Sequence, residues 1–173
     1  MTPPYTLQSI PRLYHFTDWQ NLPLIRQYGG LLPLASLKNA NVAIPAAGGN
    51  PLSHTLDQQN GMDAYVHLCF RSTHPMAFVA QNEGRITNCI YLEIHPHILT
   101  FPNVMFTDEV ANKTGVVPHP IATAETMIDY QVLYTRTDWN DPAIMERLKR
   151  AEKCEVLVPH KIPLNYIRNM PNG

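Results

Sequence analysis

The chain has little of what several large classes of protein require. Its 173 residues hold three cysteines, Cys69, Cys89 and Cys154, with no CxxC pair among them. That excludes a zinc knuckle and a disulfide framework, and Cys69 and Cys89 sit in apolar runs as small core residues. Charged residues are 16% and the formal net charge is only -1, so a broad electrostatic grip on duplex nucleic acid is not expected. No apolar run is long enough to cross a bilayer. Met1-Thr2-Pro3-Pro4-Tyr5 has neither the charged nor the apolar region of a secretory signal. With no disulfide pattern, a reducing, cytoplasmic setting is the expectation. A Gly-rich phosphate loop is absent, and the serines sit in no nucleophile elbow. The histidines, His95, His97 and His119 among them, lack metal-ligand spacing, so no metal site is expected.

What is present is a foldable chain, 45% hydrophobic, of a size that suits one domain over residues 1–173. Sixteen prolines cut it into short elements and rule out a long-helix bundle. Strands are predicted at Arg12–Phe16, Tyr65–Phe70, Cys89–Ile94, Val104–Phe106, Glu155–Val158 and Tyr166–Ile167. Helices are predicted after Asp18 as cap, from Ser53 to Asn60, from Pro75 through Gln81, and from Asp141-Pro142 to Ala151. Leu31–Leu37 reads as extended, with Pro33 at an edge or turn. Residues 128–134 fit strand or helix equally. Asn39–Pro51 and Asp108–Thr123 read as long irregular segments, the first mobile and long enough to suggest function. Short strands interleaved with a few helices give an α+β class.

Three segments carry chemistry. In Leu13-Tyr14-His15-Phe16-Thr17, alternation puts His15 and Thr17 on one face and the aromatics on the other. Such a polar pair suits ribose or amide groups, and equally an ordinary strand end facing water. In Tyr65 to Met76, an aromatic strand runs into His-Pro-Met; Tyr65, His67 and Cys69 share a face, and a ring there can stack on nicotinamide. In Cys154-Glu155-Val156-Leu157-Val158-Pro159, a carboxylate stands at the entrance of an apolar strand, where rigid backbone can aim it at a substrate. A lone Glu at a strand start is otherwise a solvated residue. The basic cluster Arg147, Lys149, Arg150 and Lys153 reads first as a solvated helix face.

In order, these segments, together with Asn21-Leu22 and Gly29-Gly30-Leu31, resemble the DarT family, the toxin halves of DarT–DarG toxin–antitoxin systems. The resemblance implies an ADP-ribosyltransferase-like split β-sheet core with flanking helices. It also implies an enzyme that uses NAD+ as co-substrate to modify a base, thymidine or guanosine, in single-stranded DNA. It places Glu155 as the catalytic carboxylate. His15, Thr17, Asn21, Gly30, Leu31, Tyr65 and Met76 would form the NAD+ pocket, and the Asp108–Thr123 segment would frame the acceptor base. Arg147 and Lys149 would supply modest contacts to the strand. A DarG-like macrodomain antitoxin is the implied partner, with no membrane role. Thymidine-modifying members carry an arginine ahead of the Tyr-Val strand, and residues 53–61 here contain none. His54 or Gln59 is then the candidate to assist Glu155. The same gap leaves open the guanine subtype, an RNA or protein acceptor, and a decayed module that only binds.

Overall fold

The computed structural model describes residues 7–49, 51–135 and 138–172, apart from the side chains of Gln8 and residues 51–53. In chain order the elements are β1 (Leu13–Asp18), α1 (Leu22–Gln27), β2 (Gly30–Leu31), α2 (Leu34–Asn39), α3 (Pro51–Gln59), β3 (Val66–Cys69), α4 (Pro75–Asn82) and β4 (Cys89–Ile94). These are followed by β5 (Met105–Thr107), β6 (His119–Pro120), α5 (Ala124–Met127), α6 (Tyr130–Tyr134), α7 (Pro142–Glu152), β7 (Glu155–Val158) and β8 (Ile162–Pro163). Among the described residues, an antiparallel six-stranded sheet has the order β4-β1-β3-β7-β5-β6, and β2 pairs with β8 in a second, two-stranded sheet.

Period-two alternation sorts the large sheet into two faces. Leu13, Val66, Leu68, Leu92, Ile94, Phe106, Val156 and Val158 point into the main core, where α1, α6 and α7 contribute Leu22, Ile25, Val132, Leu133, Leu148 and Ala151. The opposite face carries Tyr14, His67, Cys69 and Glu155, since Tyr14 pairs with Cys69 and Cys69 with Glu155.

The sheet splits at its centre. β1 pairs with β4 along all six of its residues, and β3 pairs with β7 along all four, but β1 meets β3 at Tyr14↔Cys69 alone. One register step further on, the His67 carbonyl accepts a hydrogen bond from His15 Nδ1, at 3.0 Å, in place of the next rung of the ladder. A side chain therefore fills the opening gap between the strands.

Local chemistry accounts for several element ends. Asp18 caps the turn at Trp19–Asn21 by accepting from the Gln20 N–H, and α1 follows with Pro23 in its first turn. His74 caps α4 through Met76 N–H, and Asp141 caps α7 through Ala143 N–H. Gly29 ends α1 with φ of 70°. Gly30 is required for a different reason: a Cβ there would stand 2.0 Å from the Ile162 carbonyl oxygen across the β2–β8 pair.

Several boundaries differ from the sequence reading. Leu34–Asn39 is helical rather than extended, because Pro33 sits at the N-cap position with ψ of 145° and good helix formers follow. α3 begins at Pro51, ahead of Ser53, whose expected capping side chain lies outside the described residues. Residues 130–134 settle as helix α6, capped by Asp129. The expected Tyr166–Ile167 strand is a turn whose Ile167 forms one isolated bridge to Ile94, and the strand before it is β8. Within the 108–123 segment, His119–Pro120 adds a short edge strand to β5.

Candidate active site

The split opens into a cavity that gathers residues from both ends of the chain. His15, Thr17, Asn21, Gly30, Leu31, His54, Tyr65, Met76 and Glu155 all line it. Tyr14 and Phe16 line it too; at the splayed edge of β1 both faces of the strand reach the opening, which alternation alone does not foretell.

Thr17 and Asn21 are buried. Asn21 Nδ2 donates to Thr17 Oγ1 at 3.0 Å and to the Ala46 carbonyl at 2.6 Å, and Asn21 Oδ1 accepts from Ala46 N–H at 2.9 Å. The 40–49 segment, expected to be mobile, is thus tethered at Ala46, and again at Gly48, whose carbonyl accepts from Arg85. Ile44, Ala46 and Gly48 form a wall of the cavity.

Glu155 is only 6% exposed, which overturns the solvated alternative for a carboxylate at a strand start. A buried carboxylate needs compensation, and three groups supply it. Ala111 N–H donates to Oε2 at 2.5 Å. His74 Nε2 lies 3.6 Å and His67 Nδ1 3.8 Å from Oε1. Thr107 is its partner across the β5–β7 ladder. Burial opposes ionisation, but His67, His74 and the Ala111 N–H outweigh it and hold the carboxyl below its usual range. Glu155 is an anion at neutral pH.

Geometry also dictates the proton positions on three imidazoles. His15 Nδ1 faces a carbonyl and so carries its proton. Burial keeps that ring neutral, which leaves Nε2 as an acceptor. His74 Nδ1 accepts from Met76 N–H, so its proton is on Nε2, toward Glu155; burial keeps it neutral as well. Phe16 stacks on the His74 ring with centroids 5.8 Å apart. His67 Nε2 faces the Met62 carbonyl at 2.8 Å.

His54 lines the cavity, but among the described residues the imidazoles within ion-pair reach of Glu155 are those of His67 and His74. Burial, with Lys38 and Arg85 nearby, lowers the His54 pKa. Alternation along β3 places His67 on the same face as Tyr65 and Cys69, and His74 stands in the His-Pro-Met motif, but neither pattern brings them to Glu155. The register Cys69↔Glu155 was the missing information. Asp57, on α3, also lines the cavity with Oδ1 buried and without a hydrogen-bond partner among the described residues. The 108–118 loop reaches the site through Val110 and Asn112 in addition to Ala111.

The basic cluster divides. Arg147 is committed to Asp129, with Nε and Nη2 donating at 2.6 and 2.9 Å, and ties α7 to the cap of α6. Its side chain, 45% exposed, is thus held at the α6–α7 junction. Lys149, Arg150 and Lys153 border a shallow groove between α4 and α7 that also contains Phe78 and touches the back of His74. Among the described residues no group of three or more His, Cys, Asp or Glu is arranged to hold a metal ion, and no helix is long and apolar enough to cross a membrane.

Comparison with known proteins gives a consistent picture. No curated protein matches the chain. Among solved structures, a Thermus sp. 2.9 DarT in complex with ADP-ribosylated ssDNA is 17% identical and superposes with a TM-score of 0.67, covering 96% of this chain and 82% of that one. The same DarT in complex with NAD+ is 19% identical, with a TM-score of 0.59 over 91% of this chain and 79% of that one. A Thermosipho africanus DarTG in complex with ADP-ribose is 17% identical, with a TM-score of 0.66 over 91% of this chain and 42% of that one. At these identities the likeness establishes the fold. The family model described as "ssDNA thymidine ADP-ribosyltransferase, DarT" matches residues 14–170, and on that extent this chain belongs to the DarT family.

Proposed function

We propose that this enzyme uses Glu155 to transfer ADP-ribose from NAD+ to a base of single-stranded DNA. The observation that supports it best is a buried, ionised carboxylate in the same cavity as His15, Thr17 and Tyr65. Breaking the nicotinamide–ribose bond sends the electron pair to nicotinamide, which leaves neutral, and builds positive charge on the ribose at C1′. A preorganised anion stabilises that charge. A nitrogen of the acceptor base then bonds to C1′ and becomes acidic as it does so; Glu155 takes the released proton. His15 Nε2 serves as acceptor for a ribose hydroxyl, Thr17 and Asn21 hold the adjoining wall, and Tyr65 and Met76 provide apolar surface beside the nicotinamide. Gly30, Leu31 and His54 complete the lining of the cavity.

The acceptor must be single-stranded or unpaired, since a base in a duplex stack is unreachable. The groove between α4 and α7 adjoins the site through His74 and offers the exposed Phe78 ring and Lys149 to such a strand. Thymidine is the acceptor that the family assignment favours; guanosine is the alternative, on the absence of arginine from residues 53–61. A single catalytic domain over residues 1–173, a toxin role, a DarG-like macrodomain antitoxin and action in the cytoplasm complete the reading.

Mass spectrometry of oligonucleotides of differing base content, incubated with NAD+, tests it. One ADP-ribosyl mass gain confined to a single base is expected, absent with Glu155→Gln while that variant melts like the parent. Undiminished modification by Glu155→Gln would remove the assignment.

A further inference from the structure

Glu155 lies within reach of a second charge that the local sequence does not suggest. The His67 ring is wedged between two oxygen acceptors: Nε2 sits 2.8 Å from the Met62 carbonyl, and Nδ1 sits 3.8 Å from Glu155 Oε1. A neutral imidazole has one donor and one lone pair. Either tautomer would therefore turn a lone pair toward one of these oxygens, on a side chain only 24% exposed, and the doubly protonated ring suits both neighbours. The backbone enforces this placement. Cys69↔Glu155 and His67↔Leu157 are consecutive same-face pairs of the β3–β7 ladder, so the ring is held diagonally beside the carboxylate.

We infer that His67 is a fixed imidazolium that positions and holds Glu155 as an anion for ADP-ribosyl transfer. The inference rests on Glu155 being the catalytic carboxylate. It assigns to a histidine of β3 the supporting part first expected of His54.

The charged groups around the ring favour this state. Glu155 from β7 and Asp57 from α3 attract the proton, as does the Met62 carbonyl, while His15 from β1 and His74 ahead of α4 are neutral. Asp63 and Lys38 act on Asp57 with opposite sign. Burial works against the charged ring, but Glu155, Asp57 and Met62 outweigh it and push His67 up to about 9. Burial pushes the Asp57 carboxyl up to about 6, against the attraction of His67. Between those values the three groups carry one net negative charge, the sign that a cationic transition state requires. Interacting groups titrate jointly, so activity reports the cluster as a whole.

His67 supplies a charge that pH can remove. The folded-state value lies above the ordinary 6.5. Its contribution is therefore complete below that ordinary value and disappears as pH rises through about 9.

NMR titration of histidine-labelled protein tests the inference without depending on activity; the His67 signal is assigned by its loss in His67→Gln. An inflection well above 6.5 is expected, falling by roughly one unit or more in Glu155→Gln and by less in Asp57→Asn. Titration of His67 at or below 6.5 in the parent protein would overturn it. The kinetic readout is His67→Gln, which can still donate to the Met62 carbonyl. Loss of kcat by roughly 10- to 100-fold with little change in KM for NAD+ is expected, with partial recovery in His67→Arg and a weaker alkaline decline. Full kcat in a folded His67→Gln would equally overturn it. Full transfer by Glu155→Gln would instead defeat the functional assignment, and the His67 titration would still report whether the ring is charged.

Discussion

Asn21 and Ala46 exchange both of their hydrogen-bonding groups: the side-chain amide of one donates to the carbonyl of the other at 2.6 Å and accepts from its N–H at 2.9 Å. A side chain here does what a neighbouring strand does elsewhere. It fastens a segment without regular structure to the start of α1 and so builds one wall of the cavity. Replacing Asn21 with Ala strands a buried N–H and carbonyl, at a cost of about 1–3 kcal/mol. Because Asn21 bonds to Thr17 and Ala46 and not to Glu155, the loss is expected in binding: KM for NAD+ rises several-fold while kcat changes little. Steady-state nicotinamide release checks this, and a fall in kcat at unchanged KM would place Asn21 in the chemistry instead.

The groove between α4 and α7 is expected to serve the acceptor and not the donor. Phe78 is 66% exposed, which leaves its ring free to stack on a base, and among the described residues Lys149 forms no ion pair. Phe78→Ala removes a stacking surface worth roughly 1–3 kcal/mol for a base, so KM for a short oligonucleotide should rise by about tenfold or more. Lys149→Glu should weaken binding most at low salt, with the difference fading as salt screens the contact. KM for NAD+ measured beside the oligonucleotide KM separates the two substrates. An equal rise in both would show that these changes act on the fold.

Asp18 links stability to acid pH. It is fully buried and accepts backbone N–H bonds from Gln20, Thr87 and Asn88 at 2.9, 2.8 and 3.1 Å. Burial opposes its charge, but the N–H groups of Gln20, Asn88 and Thr87 prevail and hold the carboxyl below its ordinary 3.8. A lowered folded-state value means stabilisation that is complete above 3.8 and lost as pH falls below it. Urea melts at pH 7 and pH 3 should therefore show Asp18→Asn costing stability at the higher pH and much less at the lower. An equal cost at both would mean that packing, and not charge, explains the residue.

Reading the chain alone succeeded where short-range chemistry decides. Asp141-Pro142 announced α7, His74-Pro75 announced α4, and apolar runs with β-branched or aromatic residues marked β4 and β7. It failed at Pro33, where a proline compatible with a turn was in fact the residue before a helix. It also failed at Tyr166, where a strand-like dipeptide found no ladder to join beyond one bridge. The candidate pocket residues were legible because they lie in compact segments such as Tyr14–Thr17 and Tyr65–Met76. Their shared cavity was implied by resemblance, and the fold brings them to it.

The amino-acid sequence by itself determined that this is an α+β chain of short elements, with a carboxylate at a strand entrance and polar side chains on an early strand. Those follow from periodicity, capping and proline positions, which act over a few residues. Only the tertiary structure decided which histidines meet Glu155, that Arg147 belongs to Asp129, and that the Ala111 N–H completes the carboxylate's shell. Residues 67, 74, 111 and 155 come together through strand register and loop closure, and those are set by burial of the whole sheet, a property that no short window of sequence contains.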